Sequence, residues 1–268
     1  MTAKIISLAN HKGGVFKTTI ATSVADAFSR EGLDVLLVDL DPQASTTSLV
    51  FGFEEVPTVT IERVLVNQAS IGQAIVYNTN IENVHLIGST LKLAAVENEL
   101  RGKPFGSTSI VREKLAHVIN SYDVIVIDTP PALGFLTANA LAASDAVFVP
   151  VESGSKLSLI GTDDMQEFVK AAQQANPKLQ LGGAILTRHD LRKKMCQITA
   201  AAVRDYYPHV LEGTLPVTTD MHKAQSAGMT ILQYDRNHTA STQVVLIARE
   251  MMRIIGLQTK KTDIGVDE

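Results

Sequence analysis

Asn10-His11-Lys12-Gly13-Gly14-Val15-Phe16-Lys17-Thr18-Thr19 follows directly on the apolar run Lys4-Ile5-Ile6-Ser7-Leu8-Ala9. A short strand, a glycine turn and a Lys-Thr-Thr opening a helix are what a phosphate-holding loop needs. Backbone N–H groups wrap the anionic oxygens, and the helix N-terminus adds partial positive charge. In such a loop Lys17 reaches the β- and γ-phosphates and the Thr18 hydroxyl sits on Mg²⁺. The strict pattern G-x-x-x-x-G-K-[ST] would place glycines at His11 and Phe16. This chain reads Lys12-Gly13-Gly14-x-x-Lys17-Thr18 instead, with a second lysine leading the loop. The competing reading is a Gly-Gly turn between a strand and a surface helix that carries lysines.

The flanking sequence favours the phosphate loop. Asp34-Val35-Leu36-Leu37-Val38 is a continuous apolar run, as expected of a strand buried on both faces of a parallel sheet, and it ends in Asp39-Leu40-Asp41-Pro42-Gln43-Ala44. Asp123-Val124-Ile125-Val126-Ile127 is a second such run, ending in Asp128-Thr129-Pro130-Pro131-Ala132. Carboxylates at the C-terminal ends of parallel strands point into the crevice where open α/β sheets bind ligands. An acid after an apolar strand is also the arrangement that helps to hold Mg²⁺. Any one of these aspartates could be a cap or turn former; three in order, all at strand ends, make that reading a poor one.

On the segments Asn10 to Thr19, Val35 to Gln43 and Tyr122 to Gly134, the chain resembles the ParA/Soj partition ATPases, whose phosphate loop is the deviant form shared with MinD. Val147-Phe148-Val149-Pro150-Val151, Leu215-Pro216 and Gln233-Tyr234-Asp235 add weaker support. The resemblance covers nearly the whole chain. It implies a P-loop NTPase-like α/β fold and a slow, partner-stimulated ATPase using ATP and Mg²⁺. Its catalytic residues here are Lys12, Lys17 and Asp41, the last acting on the attacking water and ranked above Asp39. The nucleotide falls to Lys12, Gly13, Gly14, Val15, Phe16, Lys17, Thr18, Thr19 and Pro216. Thr18, Asp41 and Asp128 (through a water) serve the metal. Lys12 matches the lysine that reaches across an ATP-dependent homodimer, making assembly depend on nucleotide because a desolvated cation needs its anion.

Phe16 is the departure. The resemblance puts glycine there, where the lack of a Cβ lets the backbone approach phosphate. With negative φ the ring can pack aside and ATP binding survives; survival of ATP binding is the expectation, because Asp41 and Asp128 are both present. With positive φ the loop is strained or rebuilt, and affinity or turnover falls.

Composition sets bounds. The 268 residues, 45% hydrophobic and 19% charged, suffice for one large core. No run has the length needed to cross a bilayer. One cysteine, Cys196, excludes an internal disulfide and fits a cytoplasmic location, nucleoid-associated in the ATP-bound state. It also argues against iron–sulfur relatives, and the seven histidines lack metal-ligand spacing. Partners implied by the resemblance are non-specific DNA and a ParB-like adaptor or cargo protein. With a net charge of −4, a DNA footprint must be a local patch. Arg188, Arg192, Lys193 and Lys194, extended by Lys223, are the candidates. Alternatives are a MinD-like membrane-surface ATPase, a nucleotide-binding relative impaired by Phe16, and a metabolic relative such as a biotin-pathway ligase. The final helix reads as core-packing, which disfavours stable membrane association.

Apolar runs alternating with amphipathic segments indicate βαβ units and a mostly parallel twisted sheet with helices on both faces. Strands are expected near 4–9, 34–38, 84–88, 123–127, 145–149 and 180–186, with a short one near 211–215. Helices are expected near 18–30, 91–100, 108–120, 159–175, 195–206 and 239–255. Residues 1–255 should form one nucleotide-binding domain and 256–268 a flexible tail.

Overall fold

A computed structural model describes residues 2–102, 108–154 and 161–260. The apolar runs become strands β1 (Lys4–Leu8), β2 (Val35–Asp39), β3 (Ile75–Val76), β4 (Val84–Ile87), β5 (Val124–Asp128), β6 (Ala146–Glu152) and β7 (Gln180–Thr187). They form one seven-stranded sheet in the order β3-β4-β2-β5-β1-β6-β7. All pairings are parallel except β3 with β4. Pro150 sits within β6 beyond the residues that pair with β1 and pairs only with Ile185 of β7. Its missing N–H therefore breaks no ladder bond on the β1 side.

Helices α1 (Lys17–Arg30), α2 (Ser45–Phe51), α3 (Ile61–Leu65), α4 (Lys92–Arg101), α5 (Ile110–Leu115) and α6 (Phe135–Ala143) come first. Then follow α7 (Thr162–Ala175), α8 (Lys194–Tyr206), α9 (Asp220–Ser226), α10 (Ile231–Tyr234) and α11 (Thr239–Ile255). The strand residues alternate between two cores. Leu36, Ile125 and Val147 pack with Leu93, Leu136 and Met165 on one face. Leu37, Val126 and Phe148 pack with Val24, Phe28, Ile247 and Met251 on the other. Ile20, Val24 and Phe28 lie four residues apart, so α1 turns one apolar stripe onto the sheet.

Two expectations need correction. Residues 211–215 are not a strand: single bridges, Ala184 with Val210 and His189 with Pro216, flank this stretch, and the N–H groups of Leu211 and Leu215 donate to Ala184 O and Leu186 O of β7, each at 2.9 Å. Backbone donors of Glu212 and Gly213 go instead to the Glu250 carboxylate at 2.9 and 2.8 Å, and that of Thr214 to Gln243 Oε1 at 2.8 Å. The helix expected over 108–120 is helical only at Ile110–Leu115, with a separate 3₁₀ turn at Ile119–Ser121. At the C-terminus, Lys260 is tied down, its N–H donating to Glu31 O at 3.0 Å and its Nζ lying 2.7 Å from Asp123. The rest of the expected tail, 261–268, lies outside the described residues, as do 159–160 of the expected helix.

Candidate functional site

The loop after β1 is fixed from both sides. Asn10 Nδ2 donates to Pro150 O at 2.7 Å, and its Oδ1 accepts from Lys12 N at 3.0 Å. Gly14 takes φ 74, a conformation that costs glycine little. Phe16, the residue capping α1, takes φ 68 and ψ 28. Of the two outcomes open for this position, the left-handed one is found. An L side chain pays about 1–2 kcal/mol there. The ring finds neighbours nonetheless: His222 at 5.6 Å between centroids and the Arg188 guanidinium 5.2 Å from its centroid.

Strand register brings the acids together. Asp39 and Asp128 are direct partners across β2 and β5, and both are fully buried. Asp128 Oδ2 accepts from the Thr18 and Thr46 hydroxyls, each at 2.7 Å, while its buried Oδ1 has no hydrogen-bond partner among the described residues. Asp39 accepts from the N–H of Asp41 at 3.0 Å, and from the N–H and hydroxyl of Thr47 at 2.9 and 2.7 Å. Asp39 is thus consumed in holding the turn after β2, whereas Asp41 faces the cavity, its Oδ1 accepting from Gln43 N at 2.9 Å. Thr46 and Thr47 were not foreseen; hydroxyls opening a helix beside strand-end acids were their only signal.

Burial shapes the charges. It raises Asp39 above the ordinary carboxylate value, with the charge of Asp128 adding to the rise. Asp128 is raised by burial too, while its threonine donors and Lys17 pull it back. Asp41 is raised by burial, against the Gln43 N–H and Lys17. Lys17 is lowered by burial, against the attraction of Asp128 and Asp41, and its Nζ donates to Lys12 O at 3.3 Å. A buried cation facing buried acids is a site whose charges await a ligand.

A cavity of about 590 Å³ opens over this group. Gly13, Gly14, Phe16, Lys17, Thr18 and Thr19 line it along the loop, and Asp41 and Gln43 across from them. Arg188, His222 and Gln225 close another side, with Gln225 Nε2 donating to Thr19 Oγ1 at 2.7 Å. Val15 is instead a core residue at 1% exposure, and Pro216, bridged to His189, is not among the lining residues. Lys12 lies outside the cavity, its Nζ 3.1 Å from Glu152, which also pairs with Arg188 at 3.3 Å. Arg188, of the expected basic cluster, faces the cavity. Within that cluster Arg192 is bound to Asp190 at 3.0 Å, Lys193 and Lys194 are exposed, and Lys223 pairs with Asp220 at 2.8 Å.

The donors suit a small hard cation. Thr18, Asp41 and the unpartnered Asp128 Oδ1 offer oxygen only. No group of three or more His, Cys, Asp or Glu suited to a metal occurs among the described residues. Mg²⁺ keeps several waters and binds through one or two oxygen ligands and phosphate rather than in a protein cage.

Fold and site together define a phosphate-loop NTPase-like nucleotide-binding protein. A family model described as an AAA domain matches residues 3–181. The chain is 34% identical over 252 residues to the sporulation initiation inhibitor protein Soj of Bacillus subtilis (strain 168), covering 92% of this chain and 98% of that one. It is 33% identical over 254 residues to the chromosome partitioning protein ParA of Caulobacter vibrioides (strain NA1000 / CB15N), covering 93% and 94%. Cobyrinic acid a,c-diamide synthase from Mycobacterium smegmatis, solved with bound ADP and magnesium, has a TM-score of 0.81 at 28% identity, covering 97% of this chain and 100% of that one. The chain belongs to this AAA-domain family, in its ParA/Soj group of partition ATPases.

Proposed function

We propose that this chain binds Mg-ATP, assembles as an ATP-dependent homodimer, and uses the dimer on non-specific DNA to position a cargo through an adaptor protein. One observation carries the reading: Lys17, Thr18 and Asp41 line a single cavity, with Asp128 hydrogen-bonded beneath through Thr18. ATP hydrolysis needs positioned phosphates, neutralised charge and an oriented water. The loop amides and Lys17 would take the phosphates. Thr18, Asp41 and Asp128 would hold Mg²⁺, which supplies charge neutralisation at the phosphates. Asp41 is the acid free to orient a water, because the Asp39 carboxylate already accepts from Asp41 and Thr47.

Lys12 would leave Glu152 for the phosphates of the second subunit. DNA contacts would come from Arg192, Lys193, Lys194 and Lys223, and the protein would be cytoplasmic, joining the nucleoid when ATP-bound. Residues 1–255 would act as one nucleotide-binding unit. Val244, Ile247, Met251 and Ile255 of α11 are spent on the core, which supports DNA rather than membrane as the surface. The left-handed Phe16 favours slow turnover.

ATP turnover with and without DNA tests the reading, on the natural chain and on Phe16→Gly. Turnover in both, raised by DNA, is expected. No binding by either chain at millimolar Mg-ATP would overturn it.

A further inference from the structure

Among the described residues, five non-glycine residues have positive φ, and two of them, Phe16 (φ 68) and Arg188 (φ 49), meet at the cavity wall, with the Arg188 guanidinium over the Phe16 ring at 5.2 Å from its centroid. They are remote in sequence and sit on unrelated elements, the loop before α1 and the end of β7. Strained non-glycine backbone persists where surrounding structure enforces it, and an observed outlier is a legitimate pointer to function. Here it places a cation over an aromatic ring at the edge of the cavity. His222 braces the ring from α9, and Glu152 accepts from Arg188 Nη1 at 3.3 Å, fixing the guanidinium.

The location says what such a wall could touch. Lys17 and Thr18 define the phosphate end of the cavity. Thr19, one residue on, is bonded to Gln225, which lines the cavity together with His222, Arg188 and Phe16. A nucleotide whose phosphates lie on the loop would extend its base toward this side. Flat, apolar and cationic faces grip a base through its π-surface, with no need for hydrogen bonds to its edge.

We infer that Phe16 and Arg188 form a nucleobase-stacking wall, so that this chain holds purine nucleoside triphosphates by their base as well as by their phosphates. The inference rests on the nucleotide-binding reading above and deepens it. The side chain at Phe16 is then the specificity element of the loop rather than an obstacle in it. Purines, with the larger π-surface, gain more from the wall than pyrimidines. Inorganic triphosphate gains nothing.

Calorimetric titration in excess Mg²⁺ with ATP, CTP and inorganic tripolyphosphate separates the contributions. The natural chain should bind ATP about tenfold or more tighter than tripolyphosphate, with CTP between them. Phe16→Gly should shrink the ATP-to-tripolyphosphate ratio about fivefold or more, whatever the relief of strain does to phosphate binding, because that relief acts on both ligands. Phe16→Trp should keep the ratio. Arg188→Lys, which retains the charge and loses the plane, should shrink it. If Phe16→Gly keeps or enlarges the ratio, the ring obstructs the base and the inference fails while nucleotide binding stands. If the natural chain binds none of the three ligands, the nucleotide-binding reading fails, and the wall with it.

Discussion

Phe16 sets a test of backbone strain that does not depend on any ligand. Its φ of 68 places a Cβ where the left-handed conformation costs about 1–2 kcal/mol, while its ring contacts His222 and Arg188. Comparing Phe16→Ala with Phe16→Gly removes the ring from both and leaves only the Cβ in question. The glycine variant should be more stable by about 1 kcal/mol in urea titration. A glycine variant less stable than the alanine one would mean the loop adopts negative φ in solution. Asp39 offers a second test, through pH. Burial raises its folded-state value, so above the ordinary carboxylate value near ~4 the folded chain binds more protons than the unfolded one. Its contribution is therefore favourable in acid and is lost as pH rises through the raised value. Melting of the nucleotide-free protein should show the Asp39→Asn variant gaining on the natural chain from about pH 4 to about pH 7. A difference that stays flat would show Asp39 ionising as freely as in the unfolded chain.

Elements with a strong period were the readable ones, and those without it were not. β1, β2 and β5 are unbroken apolar runs, and α1 and α11 carry apolar stripes; all were legible within a few residues. α6, Phe-Leu-Thr-Ala-Asn-Ala-Leu-Ala-Ala, is buried along most of its length and so lacks the polar face that marks a helix in sequence. β3 is two residues long and has its pairing only through β4. Within residues 211–215, expected as a strand, the N–H groups of Glu212, Gly213 and Thr214 take side chains of α11 as hydrogen-bond partners, which no local pattern encodes. The same physics hid part of the site. Lys17, Thr18, Asp41 and Asp128 follow from strand-end chemistry, whereas Arg188, His222 and Gln225 reach the cavity from distant loops and helices. Glu250 is the pivot of the α11 contact, receiving two backbone N–H groups with both oxygens. Glu250→Gln can accept only one of them and turns an NH₂ toward the other donor. An unsatisfied buried donor costs about 1–3 kcal/mol, so the urea midpoint should fall accordingly. A midpoint within error of the natural chain would show that water replaces the second bond.

At the scale of the whole molecule, net charge opposes the proposed DNA partner, and local pairing decides what is left to attract it. The chain carries a net charge of −4, so a polyanion must find cations not already matched by acids. Two of the four cations proposed for DNA are matched: Arg192 through Nε and Nη2 to Asp190 at 3.0 and 3.1 Å, and Lys223 to Asp220. Asp190 is held well below the usual carboxylate range, at about 2, chiefly by the Arg192 side chain, so it is ionised at every pH at which DNA binding is measured. Each phosphate neutralised by the protein adds about 0.9 to the slope of log affinity against log salt. Asp190→Asn releases Arg192 and should tighten binding of the ATP-loaded protein to a mixed-sequence duplex, steepening that slope by about 0.9. Replacing both Lys193 and Lys194 by alanine should make the slope shallower by about twice that amount. Fluorescence anisotropy across a salt series reads both changes. Because counterion release does not depend on sequence, the same shifts should appear on any duplex. Slopes unmoved by either change would place the DNA-binding surface elsewhere on the molecule and leave Asp190–Arg192 as a local clasp at the start of α8.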